Sequence, residues 1–382
     1  MPGYLVLTEL FLPTKGGTAV WFAEVYRRMS GKETHIITAD VPGAAEVDAT
    51  HPNTIHRIRM RRVPWLRPES LEMYVNLFAK ALWLALTHRY TAIHAGRSLP
   101  EGIIAWLVAR LTLHPVVIYA HGEELTGWGR GWKYRAMCFA LRHADQVIAN
   151  SEFTRDELIK MDVPADHITL IYPGVDVERF RPGLACADLR QSVGATGDVK
   201  LVLSVGRLSR RKGFDQVINA LPVLLSGGLD VQYVLIGIGE DQEYLLNLAR
   251  ENGVAERVHL LGHVSPDDLP RWYNACDVFI MPNREINGDT EGFGMVFLEA
   301  AACGKPAIAG QTGGTGAAVL DGQTGLRVDG ADKQKIQTAL ALLLRDTALA
   351  TRLGDNGLAR TVKELSWESV AAKTIALHAN SK

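Results

Sequence analysis

Short runs rich in β-branched and aliphatic residues punctuate this chain, and stretches of helical apolar spacing lie between them. Residues 4–8, 34–39, 91–95, 115–120 and 145–149 read as strands, and 18–30, 69–88, 99–113, 129–143 and 152–161 as helices. Such alternation predicts βαβ units, and therefore a parallel sheet with right-handed crossovers. The pattern then restarts. Residues 199–205, 231–236, 257–261, 277–281 and 305–309 read as a second set of strands, with helices at 213–226, 241–252, 266–275, 294–303 and 332–345. No strand pattern runs through 172–198, where Tyr172-Pro173-Gly174 and Arg181-Pro182-Gly183 supply turn signals. The prediction is an α/β protein of two doubly wound domains. Ligands of open α/β sheets bind beyond the carboxyl ends of the strands, so two such sheets facing each other would form an interdomain cleft.

Composition narrows this picture. At 382 residues the chain is too long for one ordinary core and suits two domains. Hydrophobic residues at 47% against 22% charged exclude a disordered chain. A net charge of −1 excludes a nucleic-acid binder by bulk charge. Residues 56–142, however, hold 13 Lys+Arg against 5 Asp+Glu, a local surplus of +8. In it Arg57, Arg59, Arg61, Arg62 and Arg67 surround Trp65, and Trp128, Arg130, Trp132, Lys133 and Arg135 follow. Arginines interleaved with tryptophans suit an anionic bilayer surface. The alternatives are tryptophans in the core with arginines on a solvated face, or a groove for an anionic soluble acceptor. The cysteines Cys138, Cys186, Cys276 and Cys303 lack metal-ligand spacing and read as reduced thiols of a cytosolic protein. The N-terminus lacks the pattern of a secretory signal, and the apolar runs Ala81–Leu86 and Gly102–Ala109 are too short to cross a bilayer. The expectation is a cytoplasmic protein that docks peripherally on the inner face of the cell membrane.

Candidate chemistry lies just after the strands. Pro13-Thr14-Lys15-Gly16-Gly17-Thr18 opens a helix, and paired glycines there let backbone N–H groups approach an anion or a sugar oxygen; a plain tight turn is the bland alternative. It is no P-loop. Gly237-Ile238-Gly239 is no dinucleotide fingerprint either, because the third glycine would fall at Gln242. His121, read as exposed at the end of the strand finishing at Ala120, is placed to exchange a hydrogen bond with a substrate hydroxyl. Arg207, Arg210, Arg211 and Lys212 lie between Gly206 and Gly213 before a helix and fit a diphosphate cradle. Cations at a helix N-terminus oppose its dipole, which favours a bound anion over a solvated basic turn. In Glu291-Gly292-Phe293-Gly294, glycines again bare the backbone at a helix start, with Glu299 about one turn further on. Such carboxylates accept hydrogen bonds from vicinal hydroxyls.

Asn150-Ser151-Glu152-Phe153-Thr154-Arg155, Tyr172-Pro173-Gly174-Val175-Asp176, Gly206-Arg207 with Arg211-Lys212-Gly213, and Glu291 followed after seven residues by Glu299 together resemble retaining glycosyltransferase family 4. Within it the chain is similar to bacterial mannosyl- and glucosyltransferases, including the phosphatidylinositol mannosyltransferases. The resemblance implies a GT-B fold of two Rossmann-like domains: residues 1–175 for the acceptor, 176–366 for the nucleotide sugar, and a last helix from about 367 to 382 crossing back onto the first. It implies Gly16 and Gly17 at the phosphate and acceptor loop, His121 at the transferred hexose, and Arg207 and Lys212 at the diphosphate. Glu291 would hold hexose hydroxyls with the N–H groups of Gly292, Phe293 and Gly294, Glu299 the ribose, and His263 and Val264 the base. Where relatives often read Gly-Gly-x-Pro-Glu, this chain has Gly313-Gly314-Thr315-Gly316-Ala317, which puts the stiffness of that loop in question.

The implied reaction moves a hexose, mannose ahead of glucose, from a GDP- or UDP-sugar to a hydroxyl of a glycan or lipid-linked acceptor. No Asp-x-Asp motif is present, so no catalytic metal and no cofactor are expected. Same-face attack, in which the leaving phosphate accepts the acceptor's proton, is what the family implies. The competing readings are a sugar-nucleotide epimerase of the same fold and a non-catalytic sugar-nucleotide-binding protein.

Overall fold

A computed structural model describes residues 3–60, 69–126 and 131–378. Its contacts separate two compact units, Met1–Pro173 with Trp367–Lys382, and Gly174–Ser366.

In the first unit, the described strands are β1 (Gly3–Leu7), β2 (His35–Ala39), β3 (Thr54–Ile58), β4 (Tyr90–Ala95), β5 (Val116–Ala120), β6 (Gln146–Ala149) and β7 (Ile168–Leu170). They form one parallel sheet in the order β3-β2-β1-β4-β5-β6-β7. β1, β5 and β6 are aliphatic on both faces because helices cover both, and Leu5, Leu7, Ile118 and Val147 are fully buried in one core with Leu77, Leu84, Val108 and Leu141. The helix Gly17–Tyr26 packs against the helix Trp367–Ala376, whose Trp367 is buried. Arg28 Nε donates to Glu368 Oε1 at 2.8 Å, and the ring nitrogens of His94 and His378 meet at 3.0 Å.

The second unit repeats the winding with β8 (Lys200–Val205), β9 (Val231–Ile236), β10 (Val258–Gly262), β11 (Val278–Met281), β12 (Ala307–Gly310) and β13 (Gly325–Val328). Its parallel order is β10-β9-β8-β11-β12-β13. In each sheet the winding reverses beside the first strand, β1 or β8, and this switch point opens a crevice at the carboxyl ends.

Three strands escape the hydrophobic pattern, and all three are edge strands. β3 alternates with His56 and Arg57, β7 has three residues, and β13 carries Gly325 and Arg327. An edge strand buries less and needs fewer apolar residues. The helix expected over 99–113 is divided, a π turn at Ser98–Gly102 leading into Ile103–Thr112. Of the helix expected over 129–143, Trp132–Arg142 is seen, while 129–130 lie outside the described residues. Ala44–Thr50 and Thr347–Glu364 are helices the pattern missed.

Candidate active site

In the first unit, three strand ends converge on His121. After β5 the His121 ring turns inward, and its edge packs between Trp21 (5.5 Å) and Phe22 (6.4 Å). Nε2–H donates to the Gly96 carbonyl beyond β4 at 2.8 Å, which in the neutral ring leaves Nδ1 as acceptor. Asn150, beyond β6, donates from Nδ2 to the His121 carbonyl at 2.8 Å, and its own Oδ1 receives Thr154 Oγ1 at 2.5 Å. Glu124 accepts from the His121 N–H at 2.8 Å. His121 is therefore not the exposed side chain the sequence suggested: it is 8% exposed and fixed from three sides. After β1, Glu101 accepts the Glu9 N–H at 2.8 Å, anchoring the loop that leads to Gly16 and Gly17. Burial pushes the Glu101 carboxyl up, against the opposing pull of Arg97. Gly16 sits at φ 134°, which favours glycine, and both glycines are exposed at the start of Gly17–Tyr26.

In the second unit the basic run after β8 is not bare. Arg207 Nε donates to Glu240 Oε2 at 3.1 Å, and Arg210 pairs with Asp241 at 3.1 Å while its guanidinium lies 3.2 Å over the Tyr244 ring. Lys212 Nζ donates to Glu291 Oε2, and Arg211 Nη1 reaches the same oxygen at 2.9 Å. This corrects the argument from the helix dipole. Arg210–Lys212 form a 3₁₀ turn ahead of the helix Phe214–Ser226, and each cation already has a carboxylate partner. An incoming anion must compete with those carboxylates. Burial alone would raise the Glu291 carboxyl, but Lys212 and Arg211 outweigh it and hold Glu291 below its ordinary range. Gly213 lets the turn close on the strand beside it: φ is 77°, and a Cβ would lie 2.1 Å from the Pro282 carbonyl.

Glu299 lies in the helix Met295–Ala302 and has a separate environment. Its Oε2 accepts from Tyr273 OH at 2.6 Å, and burial pushes the carboxyl up to about 7, against the pulls of Tyr273 and Arg179. Lys212 and Glu291 are thus brought into contact, whereas Arg207 and Glu299 pair with other residues. His263 and Val264 follow β10, His263 exposed and Val264 half-buried. Gly292, Phe293 and Gly294 are buried at the start of Met295–Ala302.

The departure at 313–317 has a structural answer. Gly314 N–H donates to the Glu291 carbonyl at 2.8 Å, and a Cβ on Gly313 would strike that carbonyl at 2.2 Å. Buried Thr315 donates from Oγ1 to the Gly310 carbonyl at 2.6 Å, so a hydroxyl ties down this loop without a proline. Sequence reasoning also missed Asn150, Glu124, Glu101, Glu240 and Tyr273. Glu124 meets His121 three positions back, whereas each of the others acts through a partner distant in sequence.

Comparison with known proteins agrees with this layout. Residues 15–179 match the family described as glycosyltransferase family 4, and residues 187–360 match glycosyl transferases group 1. The chain is 32% identical over 380 residues to a GDP-mannose-dependent alpha-(1-6)-phosphatidylinositol monomannoside mannosyltransferase of Mycolicibacterium smegmatis, covering 97% of this chain and 96% of that protein. It is 28% identical to a GDP-mannose-dependent monoacylated alpha-(1-6)-phosphatidylinositol monomannoside mannosyltransferase of Corynebacterium glutamicum, over 95% and 94% of the two chains. Among solved structures, Anabaena HepE in complex with UDP and glucose superposes with a TM-score of 0.82 at 21% identity, over 100% of both chains. Sucrose-phosphate synthase from Thermosynechococcus elongatus gives 0.82 at 22%, over 100% and 99%. These two likenesses are of fold, and the fold is GT-B. With both halves matched in order and relatives aligned along almost the whole length, this chain is a glycosyltransferase and belongs to glycosyltransferase family 4.

Proposed function

We propose that this enzyme transfers mannose from GDP-mannose, with retention of configuration and without a metal, to a hydroxyl of a phosphatidylinositol-linked or related glycolipid acceptor. The observation that carries the reading is the Lys212–Glu291 pair at the strand ends of the second unit, in a chain alignable end to end with GDP-mannose-dependent enzymes. A departing nucleoside diphosphate gathers charge, and Arg207 and Lys212 supply preorganised positive potential. Glu291, held ionised, accepts from hexose hydroxyls; Glu299 accepts from the ribose; His263 and Val264 flank the base. His121 offers Nδ1 to the transferred sugar. The leaving phosphate oxygen takes the acceptor's proton as the new bond forms on the same face, so the anomeric configuration is kept.

The experiment is a donor screen. Purified protein with GDP-mannose, UDP-glucose, UDP-GlcNAc or UDP-galactose, with and without phosphatidylinositol mannoside, should release nucleotide fastest from GDP-mannose with acceptor. Conversion of the sugar without acceptor would support an epimerase instead, and binding without turnover a non-catalytic protein. Saturating EDTA should leave the rate intact, and an absolute requirement for Mg²⁺ or Mn²⁺ would reject the cationic model.

A glycolipid acceptor implies docking on an anionic membrane, and we assign that docking to residues 56–142, where Trp132, Lys133 and Arg135 are exposed. Arg57 faces inward: it pairs with Asp48 at 2.7 Å and donates to the Ala39 and Leu12 carbonyls. Arg61, Arg62, Trp65, Arg67, Trp128 and Arg130 lie outside the described residues. The helix Leu71–Thr87 instead exposes an apolar stripe, Leu71, Val75, Ala79, Trp83 and Leu86, although its other face is already buried. Lys80 lies 4.4 Å over Trp83, and both line a groove of about 510 Å³ with Arg59. Among the described residues, no helix is long and apolar enough to cross a membrane. Wild type should co-sediment with phosphatidylglycerol-containing vesicles and not with neutral ones, and Trp83→Ser with Leu86→Ser should release it. Equal recovery on both vesicles would reject the surface.

A further inference from the structure

The four cations after β8 look alike in sequence, yet Arg211 is built into its surroundings differently from Lys212. Lys212 is a flexible point charge. Its ion pair is with Glu291 Oε2, and on another side it faces the bare backbone of Gly206, where a Cβ would lie 4.0 Å from Nζ. The fork of Arg211 is spread along one segment. Nε meets Asp289 Oδ2 at 3.1 Å, and Nη1 meets Glu291 Oε2 at 2.9 Å and the Thr290 carbonyl at 3.3 Å. Its own carbonyl accepts the Arg284 N–H at 2.8 Å, and Arg284 is clamped to Asp215 by two bonds of 3.0 and 2.7 Å. Between Arg284 and Glu291 the chain makes a tight turn in which Ile286 pairs with Asp289 and Asn287 and Gly288 have φ of 53° and 81°. Arg211 therefore grips both the turn and the carboxylate that follows it.

This arrangement separates two tasks that one cation could not perform at once. A diphosphate arriving beside Gly206 attracts Lys212, and each step of Lys212 toward it weakens the hold on Glu291. Arg211 moves only by breaking three contacts together. We propose that Arg211 is a positioning residue: it keeps Glu291 ionised and aimed at the hexose while Lys212 shifts its charge to the diphosphate. The role rests on the donor-site reading above, and goes beyond it by taking one of the four cations out of the diphosphate cradle. Lys212 and Arg211 are the cations facing Glu291, with Asp289 sharing Arg211.

The test compares wild type, Arg211→Gln and Arg211→Lys on the donor that wild type uses. In Arg211→Gln, affinity for the nucleoside diphosphate product should stay within about twofold while kcat falls about tenfold or more. The acid limb of the kcat profile should rise by about one pH unit, because Glu291 has lost a cation. The limb of kcat/KM should move less, since Lys212 still guards Glu291 in the free enzyme. Arg211→Lys, which keeps charge but not the fork, should fall between, and it carries the test if thermal melting shows that Arg211→Gln does not fold. An unchanged acid limb in either folded variant overturns the proposal. So does a loss of nucleotide affinity that matches the loss of kcat, because Arg211 would then be a diphosphate ligand. A wild-type chain that releases no nucleotide from any of the four donors rejects the donor-site reading itself, and this role with it.

Discussion

Arg207 and Lys212 bring the same charge to the diphosphate region from opposite environments. The Arg207 side chain is 73% exposed and its pair with Glu240 is a surface one, worth little to folding. Lys212 is 12% exposed and shares Glu291 with Arg211. Arg207→Ala should lower turnover by roughly 10²–10³ with an unchanged melting temperature. Lys212→Ala should lower turnover as much and also melt lower, because it leaves a mostly buried carboxylate with one cation fewer. Near-normal turnover in either would reject the assignment. Glu299 calls for a pH experiment. Its folded value of about 7 lies above the ordinary 4.5, so the folded chain holds this proton more tightly than the unfolded one. The associated stability is present below 4.5 and is lost as the pH rises through about 7. Glu299→Gln should therefore melt higher than wild type at pH 8 and equally at pH 5. Nucleotide affinity of wild type should weaken as the pH falls from 8 to 6, where the carboxyl takes up its proton, and Glu299→Gln should flatten that slope.

Elements carry these side chains to their places through backbone features as much as through apolar stripes. Gly213 joins the 3₁₀ turn Arg210–Lys212 to the helix Phe214–Ser226 at φ 77°. Gly213→Ala should cost about 2 kcal/mol or more, since it adds left-handed strain to a close approach on Pro282, and should weaken nucleotide binding by moving Lys212. Denaturant unfolding with nucleotide titration checks both effects, and unchanged stability would contradict the geometry. The elements differ in how far the sequence announces them. The central strands β1, β5, β8 and β11 are visible as apolar runs because burial on both faces admits little else. β3, β7 and β13 are not, since an edge position relaxes that demand. The loop at Gly313–Ala317 was misjudged for a related reason: a missing proline is visible in sequence, but the Thr315 hydroxyl on the Gly310 carbonyl becomes a tether only once β12 places them together.

Across the whole chain, burial of histidines makes an acid limit to stability. Desolvation lowers His51 and His56 to about 4, and it also lowers His94 well below its ordinary range, with His378 beside it adding to the effect. His35, His114 and His378 are also lowered by burial, and in the second unit His259 is. Each takes up a proton on unfolding at a pH where the folded chain refuses it, so their stability is present above 6.5 and is lost as the pH falls toward 4. Most lie in the first unit, which should unfold first on acidification; hydrogen exchange at pH 7 and pH 5 should show protection falling there before it falls at β8–β13. Uniform loss would contradict this. The central strands and the helices between them, the two doubly wound halves, the glycine-marked strand ends and the family motifs were legible in the sequence, because they are written in local periodicity and spacing. Which carboxylate meets which cation was not. Lys212 and Glu291 are 79 positions apart, and Arg207 and Glu240 are 33 apart. Charges on a list carry no distances. Only the winding that lays β8 between β9 and β11 decided that the basic run would meet Glu240 on one side and Glu291 on the other, turning an apparent row of free cations into a set of paired ones.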